Sequence, residues 1–268
     1  FTWIRLASGA LGLAILIRLM APDRSSFGVP TPPDAQRRRE WPERTAWAAA
    51  AALVTYAAAF SFAYLRLGAG TGALVLFATT QLTMIGGGLV SGERPRRREW
   101  LGVAIALLGL VALTTRGRTS PDPVGVALMA LAGLGWGAYS LLGRTAADPI
   151  AANAMAFLRG GVLFTPFALL PLTARTTTPR GIVLAALSGA LASGLGYCLW
   201  YRALPHLSRV RAAAVQLSVP VITAAAGTLL LGEAVTLRLA LSSAVILGGV
   251  ALVMTSRRGP PVTAAVKA

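Results

Sequence analysis

Long apolar runs, separated by short polar or arginine-rich stretches, are the main pattern of this chain. About 20 residues of helix are needed to cross the roughly 30 Å hydrocarbon core of a bilayer. Nine runs have approximately that length: 1–20, 45–65, 70–91, 100–115, 124–142, 151–172, 181–201, 212–231 and 237–255. They do not alternate apolar and polar residues, as the strands of a membrane barrel do. The pattern therefore predicts an all-α membrane protein with nine spans.

Part of this pattern occurs twice, 140 residues apart. Gly92-Glu93 corresponds to Gly232-Glu233, and residues 107–113 correspond to 247–253. Internal repeats of helices are typical of secondary transporters. We therefore divide the chain into a first repeat at 1–118, a second repeat at 119–257 and a flexible cytoplasmic tail at 258–268.

The repeats also predict a helix before the first residue. Trp3-Ile4-Arg5 matches Phe157-Leu158-Arg159, so the first run corresponds to the sixth. The partner of the fifth run should then precede residue 1, and no Met opens the chain. We therefore expect an N-terminally truncated copy of a multi-pass bundle of two inverted repeats, five plus five helices, with the first helix missing and nine present.

Composition and charge support a membrane location. Hydrophobic residues make up 55% of the chain, charged ones 13%, and the mean hydropathy is +0.66, more apolar surface than a soluble core of this length can hide. Sixteen arginines and lysines fall in loops on one side of the predicted spans and six on the other. The positive-inside rule then predicts a cytoplasmic loop at 21–44 and a cytoplasmic C-terminus. Because the basic residues lie in loops beside the predicted spans, the net charge of +16 does not indicate binding to nucleic acid.

Residues for catalysis or metal binding are sparse. The single cysteine, Cys198, lies inside a predicted span, and the single histidine, His206, lies in an arginine-rich loop. The sequence contains no HExxH motif, no Gly-rich phosphate loop and no paired carboxylates. We therefore expect no enzyme activity, no metal and no cofactor.

Several short motifs resemble one known superfamily. They are Pro220 followed by Gly232-Glu233, the segment Gly92-Glu93-Arg94-Pro95 followed by Trp100-Leu101-Gly102, and the Trp136-Gly137 dipeptide. Over essentially its whole length the chain resembles the drug/metabolite transporter superfamily, in its EamA-like branch. The resemblance implies a multi-pass protein of the bacterial inner membrane that moves small metabolites through a central cavity.

The resemblance also gives roles to turn residues. It favours structural roles for Glu93 and Glu233, through capping or pairing with a nearby arginine, over a role as proton carriers. Thr80 occupies the repeat position of Pro220. Only the second repeat is therefore expected to have a proline break in that helix.

Polar and aromatic residues far from the helix ends are the candidates for a substrate cavity, because lipid disfavours them. The candidates are Tyr56, Phe60, Gln81, Trp136, Tyr139, Arg159, Tyr197, Trp200 and Gln216. Trp136 and Tyr139 are equally consistent with an aromatic belt at the membrane interface. Gln81 and Gln216 are harder to explain by packing alone, because a helix backbone does not readily satisfy the two donors of an amide.

Arg159 is the most specific of these candidates, about eight residues into its predicted span, which is roughly 12 Å at helical rise. One hypothesis makes it a fixed cation for an anionic or zwitterionic substrate group, with Tyr197 or Gln216 completing the site. The other makes it an orientation anchor near the cytoplasmic end. Its repeat equivalent is Arg5.

The predicted function is a secondary transporter that moves a small metabolite, amino acid or drug-like solute by alternating access, as an exporter. No Asp or Glu lies in the middle of a predicted span, which favours facilitated diffusion or exchange over proton coupling. The alternative is a non-transporting scaffold or a lipid-flipping subunit, with a packed or lipid-filled centre. The expected partners are a small-molecule substrate and membrane lipids, with no nucleic acid, and a homodimer is left open.

Overall fold

The structure is a computed structural model, and it describes residues 1–20, 41–114, 121–169, 178–231 and 234–256. Within these ranges the regular elements are helices, and no strand occurs. The α-helices are α1 (Thr2–Met20), α2 (Glu43–Ala63), α3 (Ala69–Val90), α4 (Arg97–Thr114), α5 (Pro123–Gly143), α6 (Pro149–Leu169), α7 (Pro179–Leu187), α8 (Gly196–Ala203), α9 (Arg209–Gln216), α10 (Val219–Leu231) and α11 (Leu237–Met254). A π-helix, Ser188–Leu195, joins α7 to α8, and a 3-10 turn, Leu204–His206, follows α8.

Each of the nine predicted runs coincides with a helical segment over the residues of the run that the structure describes. Seven of these segments are long and apolar enough to cross a bilayer. The other two are α4, which begins with Arg97, Arg98 and Glu99, and α6, which contains Asn153 and Arg159. The prediction of an all-α, multi-pass membrane bundle is thus confirmed.

Two predicted spans are not continuous α-helices. The run 181–201 contains the π-helix Ser188–Leu195. The run 212–231 begins earlier, at Arg209, and is interrupted between Gln216 and Val219. Pro220 follows this interruption and lies in the first turn of α10, where its missing N–H removes no helical hydrogen bond. Thr80, its repeat equivalent, lies within the uninterrupted α3.

The chain forms two compact units, each built from segments that are distant in sequence. Unit 1 consists of Phe1–Glu93 and Thr114–Ala213, and unit 2 of Arg94–Leu113 and Ala214–Ala268. Each unit therefore combines residues from both predicted repeats. The repeat division at 118/119 stays a prediction, and the predicted tail at 258–268 lies outside the described residues.

Glycines on α5 allow the helices of unit 1 to pack closely. A Cβ added at Gly135 would lie 2.7 Å from the backbone N of Tyr56 on α2, and one at Gly133 would lie 2.7 Å from the carbonyl O of Leu76 on α3. Small residues permit this approach of helix backbones in lipid. As a result, α5 is held against both neighbours, and its Trp136 lies beside Tyr56.

In unit 2, α4 packs on α11 in a similar way. A Cβ at Gly102 would lie 2.6 Å from the carbonyl O of Gly249, and one at Gly109 would lie 2.9 Å from the backbone N of Ile246. Gly109 and Gly249 are equivalent positions at the 140-residue offset. The contact thus joins the two helices that correspond in the repeat pattern.

Candidate functional site

Arg5, in the first turn of α1, is a buried cation at the centre of the polar contacts of unit 1. Its residue surface is only 8% exposed. The Nε atom donates to the Ser193 hydroxyl at 2.8 Å, and Nη2 donates to the Tyr197 hydroxyl at 2.7 Å. Nη2 also lies 3.5 Å from the Tyr56 hydroxyl, and the guanidinium carbon lies 5.5 Å from the centre of the Tyr56 ring. Arg5 thus connects α1 with α2, the π-helix and α8.

The π-helix approaches α1 closely at Gly189. A Cβ at that position would overlap the carbonyl O of Arg5 and the hydroxyl of Ser8. Only glycine therefore fits this contact without a shift of backbone atoms. Ser193 lies one π-helical turn further along the chain, where its hydroxyl reaches Arg5. Such π-helical segments occur frequently at functional sites.

Aromatic rings pack against Tyr56 and Tyr197, the two tyrosine partners of Arg5. The Trp136 ring centre lies 4.7 Å from that of Tyr197 and 5.1 Å from that of Tyr56, and the Tyr56 ring lies 5.5 Å from Phe60. Trp136, Tyr197 and Phe60 keep part of their surface exposed. We call Arg5, Tyr56, Trp136, Ser193 and Tyr197 the Arg5 cluster. It combines a fixed cation and hydroxyl groups with flat apolar surface, which is the composition of many small-molecule sites.

Tyr139 has a different environment from the Arg5 cluster, although it was predicted as a cavity residue. Its side chain is fully buried, and its hydroxyl donates to Asn153 Oδ1 at 2.5 Å. The amide of Asn153 donates in turn to the carbonyl O of Pro149 at 2.7 Å, and the Tyr201 hydroxyl donates to the carbonyl O of Tyr139 at 3.0 Å. These bonds link α5, α6 and α8 behind the cluster.

Trp200 also has its polar atom bonded within the protein. Its indole N–H donates to the Ser140 hydroxyl at 3.0 Å, which joins α8 to α5. The indole ring is partly exposed. Trp200 and Tyr139 therefore hold the helices that carry Tyr197 and Trp136.

Arg159 makes its contacts at the start of α2. Its Nη2 lies 2.8 Å from Glu43 Oε1, and its guanidinium carbon lies 4.9 Å from the ring centre of Trp47. The arginine side chain is 14% exposed and that of Glu43 is 77% exposed. Tyr197, which we expected to complete a site with Arg159, bonds to Arg5 instead. The charge of Arg159 thus has a carboxylate partner, whereas the charge of Arg5 has hydroxyl partners.

Gln81 and Gln216 belong to different units, although both are buried. The Gln81 amide nitrogen donates to the carbonyl O of Ala213 at 2.6 Å. The carbonyl of Ala213 lacks its usual helical donor, because the N–H of Leu217 bonds to Ala214 instead. The Oε1 atom of Gln81 is buried and accepts no hydrogen bond from the described residues.

Glu93 lies at a helix end in unit 1, opposite the start of α9. Its carboxylate accepts from the backbone N of Arg209 at 2.9 Å and from Arg209 Nη1 at 2.8 Å. The preceding Gly92 has a φ of +82° and ends α3, with the N–H of Glu93 bonded to the carbonyl O of Gly88, the pattern of a Schellman turn. Glu93 therefore caps α9 and pairs with its first residue. Its repeat equivalent, Glu233, lies outside the described residues.

Three contributors to this region are not predicted from the sequence. Arg5 enters there only as the repeat equivalent of Arg159, and Ser193 and Asn153 are not among the cavity candidates. The available signal for Arg5 was the match of Trp3-Ile4-Arg5 with Phe157-Leu158-Arg159. Ser193 and Asn153 gave no comparable signal, because single small polar residues in spans often satisfy their own helix.

One other region differs from the Arg5 cluster in chemistry. An apolar groove of about 600 Å³ lies between α1 and α6, and Leu11, Leu158 and Val162, which line it, are more than half exposed. Its lining contains no titratable side chain, so its surface suits an apolar chain. Within the described ranges, no three His, Cys, Asp or Glu residues come together as a metal site would require.

Comparison with known proteins gives the family. Residues 123–255 match the EamA-like transporter family. The uncharacterized protein PA1977 of Pseudomonas aeruginosa is 46% identical over 260 residues, which cover 97% of this chain and 85% of that protein. The chain belongs to the EamA-like transporter family. A protein of known crystal structure has the same fold, with a TM-score of 0.73 and 18% identity over 94% of this chain and 86% of that one.

Membership in the EamA-like family confirms the predicted class. The protein is a multi-pass membrane transporter of the drug/metabolite type, which acts on a small-molecule substrate and contacts membrane lipids. Members of this family are transporters and not enzymes.

Proposed function

We propose that this EamA-like transporter is a secondary exporter of a small organic solute in the bacterial inner membrane, and that the solute binds at the Arg5 cluster. The observation that carries the proposal is a buried guanidinium within a candidate span, with hydroxyl groups as its hydrogen-bond partners. An ionised side chain in a span is costly and is a functional site by default.

Each member of the site has a separate role in this proposal. Arg5 holds the polar head of the solute, and the hydroxyls of Tyr56 and Tyr197 orient that head. The rings of Trp136 and Phe60 contact the apolar part of the solute, since both keep some exposed surface. Alternating access then exposes the bound solute to one side of the membrane at a time.

The remaining candidates have supporting roles. Tyr139 and Trp200 fix the helices around the cluster through their bonds to Asn153 and Ser140. Arg159 is assigned to packing and orientation, because Glu43 already neutralises it. Gln81 is retained as a further polar contact, because its Oε1 keeps an acceptor available. Gln216 is retained on sequence grounds alone.

The proposed orientation has the C-terminus and the loop at 21–44 in the cytoplasm, and it rests on the arginine and lysine bias of the loops. Topology reporters fused at Arg38 and after Lys267 should both report a cytoplasmic position. Two periplasmic readings would reject this orientation.

A matched pair of arginine variants tests the site. A metabolite library is screened for solutes that raise the melting temperature of the purified wild-type protein, and the solutes found are titrated against Arg5→Gln and Arg159→Gln. Loss of a charge-assisted hydrogen bond, about 1.5–3 kcal/mol, should weaken binding to Arg5→Gln roughly ten- to hundredfold. Arg159→Gln removes the same group at the repeat-equivalent position and should bind as the wild type does.

Two outcomes contradict the proposal. If folded Arg5→Gln binds the solute with wild-type affinity, the solute does not bind at the Arg5 cluster. A failure of the wild-type protein to bind any solute, or to move one across proteoliposomes, would favour the scaffold or lipid-flipping alternative.

A further inference from the structure

The charge of Arg5 has no counter-ion among the described residues. Their ion pairs join Arg66 to Asp122, Glu43 to Arg159 and Glu93 to Arg209, and none of these includes Arg5. The acidic residues of the described ranges lie at or next to helix ends. Removing a cation from water without an opposite charge is strongly unfavourable. An anion at this position would therefore be stabilised more than a neutral or cationic group.

The guanidinium also keeps donors available for such an anion. Nε and Nη2 donate to hydroxyl oxygens, whereas Nη1 donates to no described residue. The contact of Nη2 with Tyr56, at 3.5 Å, is at the limit of a hydrogen bond. A carboxylate can accept from Nη1 and Nη2 together, in the planar bidentate geometry that Arg favours. It would replace only the weakest of the present contacts.

The surroundings select against a second, positive group on the ligand. An ammonium next to the carboxylate of an amino acid would lie a few ångströms from Arg5, and no described carboxylate is there to receive it. The face of Tyr56 already lies next to the Arg5 guanidinium, 5.5 Å from its ring centre, so a second cation there would be repelled by the charge of Arg5. The Trp136 ring packs against the rings of Tyr56 and Tyr197. A flat or branched hydrocarbon group packs well against such rings.

We propose that the Arg5 cluster takes an organic monocarboxylate as its anion, and that the protein exports it by uniport driven by the membrane potential. This inference rests on the proposed function of the cluster as the transport site. The described spans offer no acidic side chain at mid-depth to carry a proton, so each carboxylate that crosses moves one negative charge. A potential of about 100 mV, negative inside, favours outward movement of that charge by a ratio of roughly fifty.

Charge movement by the full-length protein in proteoliposomes on a solid-supported membrane tests the inference. The probes are benzoate, phenylalanine and benzylamine, which share a phenyl ring and differ in charge. Leakage of neutral benzoic acid is electrically silent, so a benzoate current reports the transported anion. We expect a benzoate current that changes sign when the benzoate gradient is reversed and that persists without a pH gradient.

Variants connect the current to the site. Arg5→Gln should reduce the benzoate current at least tenfold, Arg5→Lys should retain part of it, and Arg159→Gln should keep the wild-type current per folded molecule. Melting curves of each variant show that it is folded. If Arg5→Gln does not fold, Tyr197→Phe takes its place. This variant removes a hydroxyl partner of Arg5 and should weaken the apparent affinity for benzoate.

The outcomes separate the two levels of the proposal. The carboxylate inference would be overturned if phenylalanine or benzylamine were transported in an Arg5-dependent manner and benzoate gave no current. That result would still support the Arg5 cluster as the transport site. A benzoate flux that is electrically silent in the wild type would overturn uniport. Transport that is unaffected in folded Arg5→Gln would overturn the site itself.

Discussion

Replacing Glu93 by Ala should destabilise unit 1 through the loss of the cap on α9. The carboxylate accepts from the backbone N of Arg209 at 2.9 Å and from its Nη1 at 2.8 Å, and both side chains are about a quarter exposed. Removing a side chain that caps a helix N-terminus costs about 0.5–2 kcal/mol. A partly exposed ion pair adds about 0.2–1 kcal/mol, after screening by solvent. The expected total is about 1–3 kcal/mol.

Two further variants divide this cost. Glu93→Gln keeps an oxygen acceptor for the backbone N–H and loses the charge, so it should cost about 0.5–1.5 kcal/mol. Arg209→Ala keeps the backbone N–H and loses only the ion pair, so it should cost about 0.2–1 kcal/mol. The exposed neighbour Arg94 provides the control, since Arg94→Gln should change stability by less than about 0.5 kcal/mol.

Equilibrium unfolding of the purified variants by SDS in mixed micelles measures these differences. The order expected for the loss of stability is Glu93→Ala, then Glu93→Gln, then Arg209→Ala. If Arg209→Ala costs as much as Glu93→Ala, the stabilisation comes from the ion pair and the capping argument is wrong. A Glu93→Ala protein as stable as Arg94→Gln would reject both contributions.

Three other perturbations follow from single contacts. Tyr139→Phe leaves Asn153 Oδ1 buried without its donor, so unfolding should become easier by about 1–3 kcal/mol, and an unchanged stability would show that water replaces the hydroxyl. Gly135→Ala places a Cβ 2.7 Å from the backbone N of Tyr56, whereas an added Cβ at Gly86 has no atom within 4 Å. Gly135→Ala should therefore lower the free energy of unfolding by about 1–3 kcal/mol and weaken solute binding. Gly86→Ala should change neither. Arg66, and then the N–H of Val124, lower the pKa of Asp122, so the carboxylate stabilises the folded state above the ordinary pKa of aspartate and this contribution is lost as the pH falls through the lowered value. The melting temperatures of wild type and Asp122→Asn should therefore differ at neutral pH and converge in acid, and a constant difference would contradict the assignment.

Only part of the candidate site followed from the sequence. Tyr56, Phe60, Trp136 and Tyr197 are cavity candidates from the sequence because lipid disfavours polar and aromatic residues far from the helix ends, and the structure brings these four together. The choice between Arg5 and Arg159 could not be made this way, because each stands on an apolar helix with similar neighbours in sequence. It depends on α2, which places Glu43 beside Arg159 and Tyr56 beside Arg5.

The helical membrane architecture was determined by the sequence alone. A backbone in lipid must satisfy its own hydrogen bonds, so an apolar run of sufficient length becomes a helix whatever its neighbours are. The π-helix at Ser188–Leu195 and the burial of Arg5 were decided by tertiary structure. Both lie where α1 packs against the π-helix, at a contact so close that a Cβ on Gly189 would overlap the Arg5 carbonyl. Such contacts between residues almost two hundred positions apart arise from packing, and the local order of apolar and polar residues contains no record of them.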